Sequence, residues 1–216
     1  MYYIRSTSIL ENIVRNSFDK FFSALAIFIT LPIVIFIAYR IKRASPDGPV
    51  FFIQERLGLK GSKFKILKFR TMHVGAEQLL DDLLRNNTEA RQEYKTYKKL
   101  KSDPRIISGI GPWIRRNSLD ELPQFINVLK GDMSLVGPRP YIDGEFSLKN
   151  RQHKRDILSV KPGMTGYWQI QDRNNATFDK RVESDLIYLK KRSFFLDLKI
   201  VLKTFLVFFK NNGGAF

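Results

Sequence analysis

The chain has no cysteine among its 216 residues, which excludes disulfides and thiolate-bound metals. It fits a reducing compartment. Only two histidines occur, His73 and His153, far apart and without ligand spacing, so both read as surface residues. No G-x-x-x-x-G-K-[ST] run is present, which removes the P-loop nucleotide hydrolases. Nor is there a helix-turn-helix, zinc-finger or RNA-recognition signature. Acid is scarce: 21 Asp and Glu stand against 37 Lys and Arg, a net charge of +16. That excess calls for an anionic partner, whether nucleic acid, a phospholipid surface or a phosphorylated substrate. A nucleic-acid partner is not expected, because it leaves the next feature unexplained.

From Phe21 to Tyr39 no charged residue occurs at all (FFSALAIFITLPIVIFIAY). As a helix this stretch spans about 28 Å, close to the hydrocarbon thickness of a bilayer. It begins well inside the chain, and no small-residue cleavage site follows, which argues against a cleaved leader. Two membrane readings stay open. The segment crosses once, or it enters and returns to the same side. Pro32, near its middle, favours a kink. Basic flanks on both sides (Arg15 and Lys20, then Arg40, Lys42 and Arg43) favour holding both ends in the cytoplasm.

The densest chemistry lies at Asn117 to Pro140, NSLDELPQFINVLKGDMSLVGPRP. Leu122, Phe125, Ile126 and Leu129 recur at helical spacing, and Lys130-Gly131 suits a helix end. Asp120 and Glu121 precede that helix. Either Asp120 is the N-cap, with Pro123 inside the first turn, or Ser118 is, with Glu121 completing a capping box. Both readings set two carboxylates at the positive end of a helix dipole. Beyond a turn and a short apolar strand, Met133 to Val136, Arg139 stands between Pro138 and Pro140. A stiff turn therefore presents its guanidinium, a group suited to phosphate.

Elsewhere, Ala44 to Pro49 is a linker that divides an N-terminal segment (1–43) from the rest (44–216). Val50 to Gln54 and Phe64 to Thr71 read as a hairpin, with Phe64, Ile66, Lys68 and Arg70 on one face of the second strand. Gly75 to Lys101 reads as one or two polar helices without assigned chemistry. Arg115 and Arg116 lie just before the central acids. Tyr141 to Ser159 reads as a charged helix, and Lys161 to Gly166 as a turn. Tyr167, Trp168 and Gln169 set aromatic faces beside an amide. Asp185 and Tyr188 fall one helical turn apart, and an ion pair between Asp185 and Lys190 is the plain alternative. Phe194 to Phe209 suits an amphipathic interfacial helix.

The stretch SLDELPQFINVLKGDMSLVGPRP resembles the bacterial sugar transferase family, the monotopic phosphoglycosyl transferases. The likeness continues in KILKFRTM, KPGMTGYWQ and ESDLIYLKKRSFFLDLKIVLKT, and covers nearly all of residues 18 to 208. It implies a helix-rich α+β fold with a re-entrant helix–break–helix, a small hairpin and interfacial amphipathic helices. The family often has Ser-Pro at the break, where this chain has Leu31-Pro32. The likeness implies transfer of a phospho-sugar from a nucleoside diphosphate sugar, UDP-linked by expectation, to a polyprenol phosphate such as undecaprenyl phosphate. The place implied is the cytoplasmic face of a bacterial inner membrane, against anionic phospholipid. Asp120 is expected to be the nucleophile, and Glu121 to help hold Mg²⁺ or manage a proton. Lys68, Arg70, Arg139, Gln169, Arg173 and Asp185 are the matching substrate-binding positions. The family usually has Gly where Asp172 precedes Arg173. The competing class is a membrane-tethered, non-enzymatic basic scaffold, which would release no UMP from any sugar nucleotide.

Overall fold

In the computed structural model, the described residues are 8–97, 100–146, 151–171 and 177–210. The first of them form one helix, α1, Ile9–Ala44, about 54 Å long at ~1.5 Å per residue. Ser8 starts it, its Oγ accepting the Glu11 N–H at 3.1 Å. Pro32 lies inside α1 and the helix runs through it, so the break expected there is not an interruption of the helix. Proline in a helix interior costs ~3 kcal/mol. Packing just downstream offsets this: Ile37 and Ile41 are fully buried with Phe69, Ile107, Ile110 and Ile114.

A hairpin follows, β1 (Phe51–Leu57) with β2 (Lys63–Phe69), antiparallel from Phe51 opposite Phe69 to Leu57 opposite Lys63. Phe64 and Ile66 on β2 turn into the main core. Two polar helices, α2 (Ala76–Asn86) and α3 (Thr88–Tyr97), pack on each other and bury no residue. After α4 (Ile110–Arg116), a 3₁₀ turn over Leu119–Glu121 leads into α5 (Gln124–Lys130), which lies along α1.

β3 (Ser134–Val136) pairs in parallel with β4 (Gly163–Thr165), so Gly163, expected in a turn, opens a strand. Tyr141 to Ser159 is not the helix expected. Residues 141–146 are non-helical, and only a 3₁₀ turn (Arg151–His153) and the short α6 (Lys154–Ile157) are described after them. The reason is local. Gly144 takes a left-handed φ of 85°, and the Glu145 carboxylate accepts the Ile142 N–H at 2.9 Å, so a turn replaces helical bonding. The chain ends in α7 (Phe178–Lys191) and α8 (Phe194–Lys210).

β3 and β4 approach so closely at Gly137 and Gly163 that neither tolerates a side chain. A Cβ on Gly163 would lie 2.0 Å from the Gly137 nitrogen and 2.5 Å from the Thr165 carbonyl oxygen. Both are backbone atoms held by the ladder, where Gly163 N–H donates to Pro138 O at 2.8 Å and Gly137 N–H to Thr165 O at 3.0 Å. Gly163→Ala is therefore expected to cost about 3 kcal/mol, read as a lowered thermal midpoint. An unchanged midpoint would show that the ladder has slack.

Among the described residues, α1 is the one helix long and apolar enough to cross a membrane, with a mean hydropathy of 2.7 in its most apolar window. Only 11% of that window is buried, and Phe28, Ile29 and Ile35 are each more than 60% exposed. Yet both ends of α1 pack on the same body. Near its start, Arg15 pairs with Asp197 of α8 and Asp19 bonds to β3. Toward its end, Ile37 and Ile41 join the core of α4, and Phe36 meets Trp113 edge-on at 6.5 Å. α8 buries Asp197 and Ile200 while exposing Phe195, Leu202, Phe205 and Leu206, the two-faced pattern expected of it.

Candidate active site

The acid pair stands on the 3₁₀ turn ahead of α5, not in that helix's first turn. Pro123 is the residue before α5, so neither expected cap, Asp120 or Ser118, is realised. Ser118 instead adopts a left-handed φ of 51°, a conformation that costs a non-glycine residue roughly 1–2 kcal/mol. That turn throws Asp120 and Glu121 toward the hairpin. Lys68, at the end of β2, meets both: its Nζ is 2.9 Å from Glu121 Oε1 and 3.8 Å from Asp120 Oδ2. Burial pushes the Asp120 carboxyl up to about 6, against the attraction of Lys68 and with the help of Glu121's negative charge.

These groups line one side of a cavity of about 280 Å³. Arg56, Arg139 and Arg181 line it too, as do Arg115, Trp168 and Gln169. Five cations against two acids make it an anion pocket. The three arginines crowd one another. Burial, and next the charge of Arg139, bring Arg56 down to about 10 and lower Arg181 as well. Glu145 holds two of them, 3.0 Å from Arg139 Nη2 and 3.9 Å from Arg56 Nη1. The Arg181 guanidinium lies over the Trp168 ring, 5.1 Å from its centroid.

The expected site residues divide into three groups. Asp120, Glu121, Lys68, Arg139 and Gln169 come together around the cavity. Gln169's amide oxygen is committed to its own turn, accepting the Gly166 N–H at 2.7 Å. Asp185 lies behind the cavity, fully buried. Its Oδ2 accepts the Arg139 N–H at 3.1 Å and the Tyr141 hydroxyl at 2.7 Å, so it grips the Gly-Pro-Arg-Pro turn from below rather than pairing with a lysine. Burial raises its carboxyl to about 7. Arg70 is apart from the cavity. The sheet face shared with Lys68 ends at Phe69, and Arg70 turns to Ser45 at the end of α1. Arg173 lies outside the described residues.

Arg56 and Arg181 escape the sequence reading. Arg181 carried a usable signal, since it precedes Asp185 by four residues on one helix face. Arg56 carried none, being one more charge in a polar strand.

Five of the expected site residues, Asp120, Glu121, Lys68, Arg139 and Gln169, thus line one pocket, and comparison with known proteins shows the family. A family model described as bacterial sugar transferase matches residues 10–211. An undecaprenyl-phosphate galactose phosphotransferase of Salmonella typhimurium is 40% identical over 93% of this chain and 41% of its own length. A UDP-glucose:undecaprenyl-phosphate glucose-1-phosphate transferase of Escherichia coli is 36% identical over 95% of this chain and 42% of its own. The exopolysaccharide production protein ExoY of Rhizobium meliloti is 38% identical over 90% of this chain and 85% of its own length. The chain therefore spans about two fifths of the first two relatives and most of the third. With a family model covering all but its ends, this chain belongs to the bacterial sugar transferase family.

Proposed function

We propose that the protein transfers a sugar 1-phosphate from a UDP-sugar to undecaprenyl phosphate, through a phosphosugar carried on Asp120. The observation that carries this reading is the acid pair held by Lys68 inside a pocket otherwise lined with arginines. In the first step an Asp120 oxygen attacks the sugar-bearing phosphorus. A P–O bond forms, the bond to the bridging oxygen breaks, and UMP leaves. In the second, a phosphate oxygen of the lipid attacks the same phosphorus. The polyprenyl diphosphosugar is released and the carboxylate is restored. Lys68 steadies the acid pair, and Arg139, Arg56 and Arg181 bind phosphate oxygens, so the chemistry is mainly positioning and electrostatics.

Mg²⁺ fits the donor set. Asp120 and Glu121 line the same cavity, and Mg²⁺ favours one or two carboxylates completed by substrate phosphates. Bound there by Asp120 and Glu121, it would offset the repulsion between an anionic nucleophile and an anionic substrate. Glu121, 2.9 Å from Lys68, is the member held to the side of the nucleophile.

The exposed apolar flank of α1 belongs in lipid. That both ends of α1 rest on one body supports holding both on the same side of the membrane. Its basic flanks select the cytoplasmic face of the inner membrane, with anionic phospholipid as the contacting surface. The lipid's phosphate then meets the pocket at headgroup depth while its tail stays in the bilayer. The relatives' names divide between galactose and glucose, so a panel of UDP-sugars is the test, scored as UMP release with undecaprenyl phosphate and Mg²⁺. One donor should give turnover and, without acceptor, leave sugar-phosphate label on the peptide containing Asp120. Silence across the panel, or label confined to another residue, would sink this reading.

A further inference from the structure

α1 is gripped near each end by a buried polar contact, and each contact reaches a strand that runs into the pocket. At one end Asp19, 5% exposed, accepts from Ser134 Oγ at 2.6 Å and from the Leu135 N–H at 3.2 Å. These two residues open β3, and Arg139 follows three residues after its end. At the other end Arg70, 6% exposed, donates to Ser45 Oγ at 3.1 Å and to the Ser45 carbonyl at 2.6 Å. Ser45 is the C-cap of α1, and Arg70 directly follows β2, two residues past Lys68. Gly48 leaves the space this guanidinium occupies, since a Cβ there would lie 2.1 Å from Arg70 Nη1.

Aliphatic residues at these positions would bury as well or better, since ionisable groups pay a desolvation penalty in such surroundings. What a directional polar contact adds is register. A carboxylate taking two donors from consecutive residues permits one position of β3 along α1. A guanidinium on a cap hydroxyl and carbonyl does the same for β2. About 40 Å of helix at ~1.5 Å per residue joins the two contacts.

We infer that Asp19 and Arg70 are positioning residues: they tie the strands carrying Arg139 and Lys68 to the two ends of α1, so that the apolar helix sets the separation of these two pocket cations. The tie itself is mechanical. Only its effect on turnover rests on the proposed transfer reaction.

Hydrogen exchange on the full chain in bilayer discs, alongside UMP release, tests it. Asp19→Ala should lower protection at 134–139 at least tenfold, leave α7 as protected as before, and lower kcat/KM about tenfold. Asp19→Asn keeps an acceptor oxygen and should restore both. Arg70→Ala should loosen 67–70 in the same local manner. Should Asp19→Ala fail to fold, Ser134→Ala removes one of its two bonds and should give about a threefold local loss. Unchanged exchange at 134–139 in a folded variant overturns the inference, as does loosening spread evenly over the domain or failure of Asp19→Asn to restore. Local loosening in a chain that never releases UMP, native or variant, upholds the tie and defeats the transfer reaction instead.

Discussion

Asp120→Asn is expected to abolish turnover, by at least about 10³-fold, while the chain stays at least as stable at pH 7.5 as the native protein. The two halves of that result have one cause. Asp120 is 18% exposed, and burial holds its folded-state carboxyl near 6 against an ordinary 3.8. The folded state therefore binds this proton more tightly than the unfolded state does. The stability it contributes is complete below about pH 3.8 and is lost as pH rises through about 6. Above that, an ionised Asp120 is a cost on the order of 2–3 kcal/mol, one that its proposed role as nucleophile accounts for. The amide removes the nucleophile and the cost together. Thermal midpoints at pH 5 and 7.5 check the second half: the variant should gain on the native chain as pH rises. In the native enzyme kcat/KM should climb through about pH 6 as the carboxylate ionises. A variant with more than a tenth of native turnover ends the assignment.

Arg139→Ala is expected to lower kcat/KM about 10²–10³-fold, the range for losing one preorganised donor to developing charge. Arg139 is fixed at both its backbone and its side chain. Asp185 takes its backbone N–H, and Glu145 takes Nη2, so neither the turn nor the side chain must reorganise when phosphate arrives. Arg139→Lys should recover little, because an ammonium keeps the charge but not the two-pronged geometry. The fold should survive both substitutions, since the grip of Asp185 is on the backbone. Initial rates of UMP release over a range of donor concentrations measure the loss. A change of less than threefold would remove Arg139 from the phosphate site.

Much of this was legible in the sequence, for physical reasons that differ by element. The apolar run announces α1 because nineteen consecutive uncharged, mostly apolar residues stand apart in a chain of +16. Alternation marked β2, and the stiff Gly-Pro-Arg-Pro turn marked Arg139, because both signals are local. What stayed hidden depends on long-range packing. Lys68 and Arg70 look equivalent along a strand, but the strand ends at Phe69 and sends them to different partners. Asp185 reads as a site acid or a helix ion pair, yet it is a buried anchor whose partners lie more than forty residues away. The acids looked like a helix start because Leu119–Glu121 is helical in pattern. Ser118's left-handed backbone, invisible in composition, displaces them onto a separate turn. Residues 141–146 read as helix on charge alone, whereas Gly144 and Glu145 make a turn there.

α1 is more than an exposed apolar flank. It fills part of the core through Ile37 and Ile41, and it meets β3 through Asp19. Trimming the chain to begin after Ala44, the usual route to a water-soluble catalytic fragment, would strip Phe69 and Ile114 of their cover and leave the strand before Arg139 without its carboxylate partner. A less apolar version is better sought by recolouring the exposed apolar side of α1, at Phe28, Ile29 and Ile35, while Arg15, Asp19, Ile37 and Ile41 are left untouched. The apolar helix and the pocket are one object here, separable by surface but not by cutting.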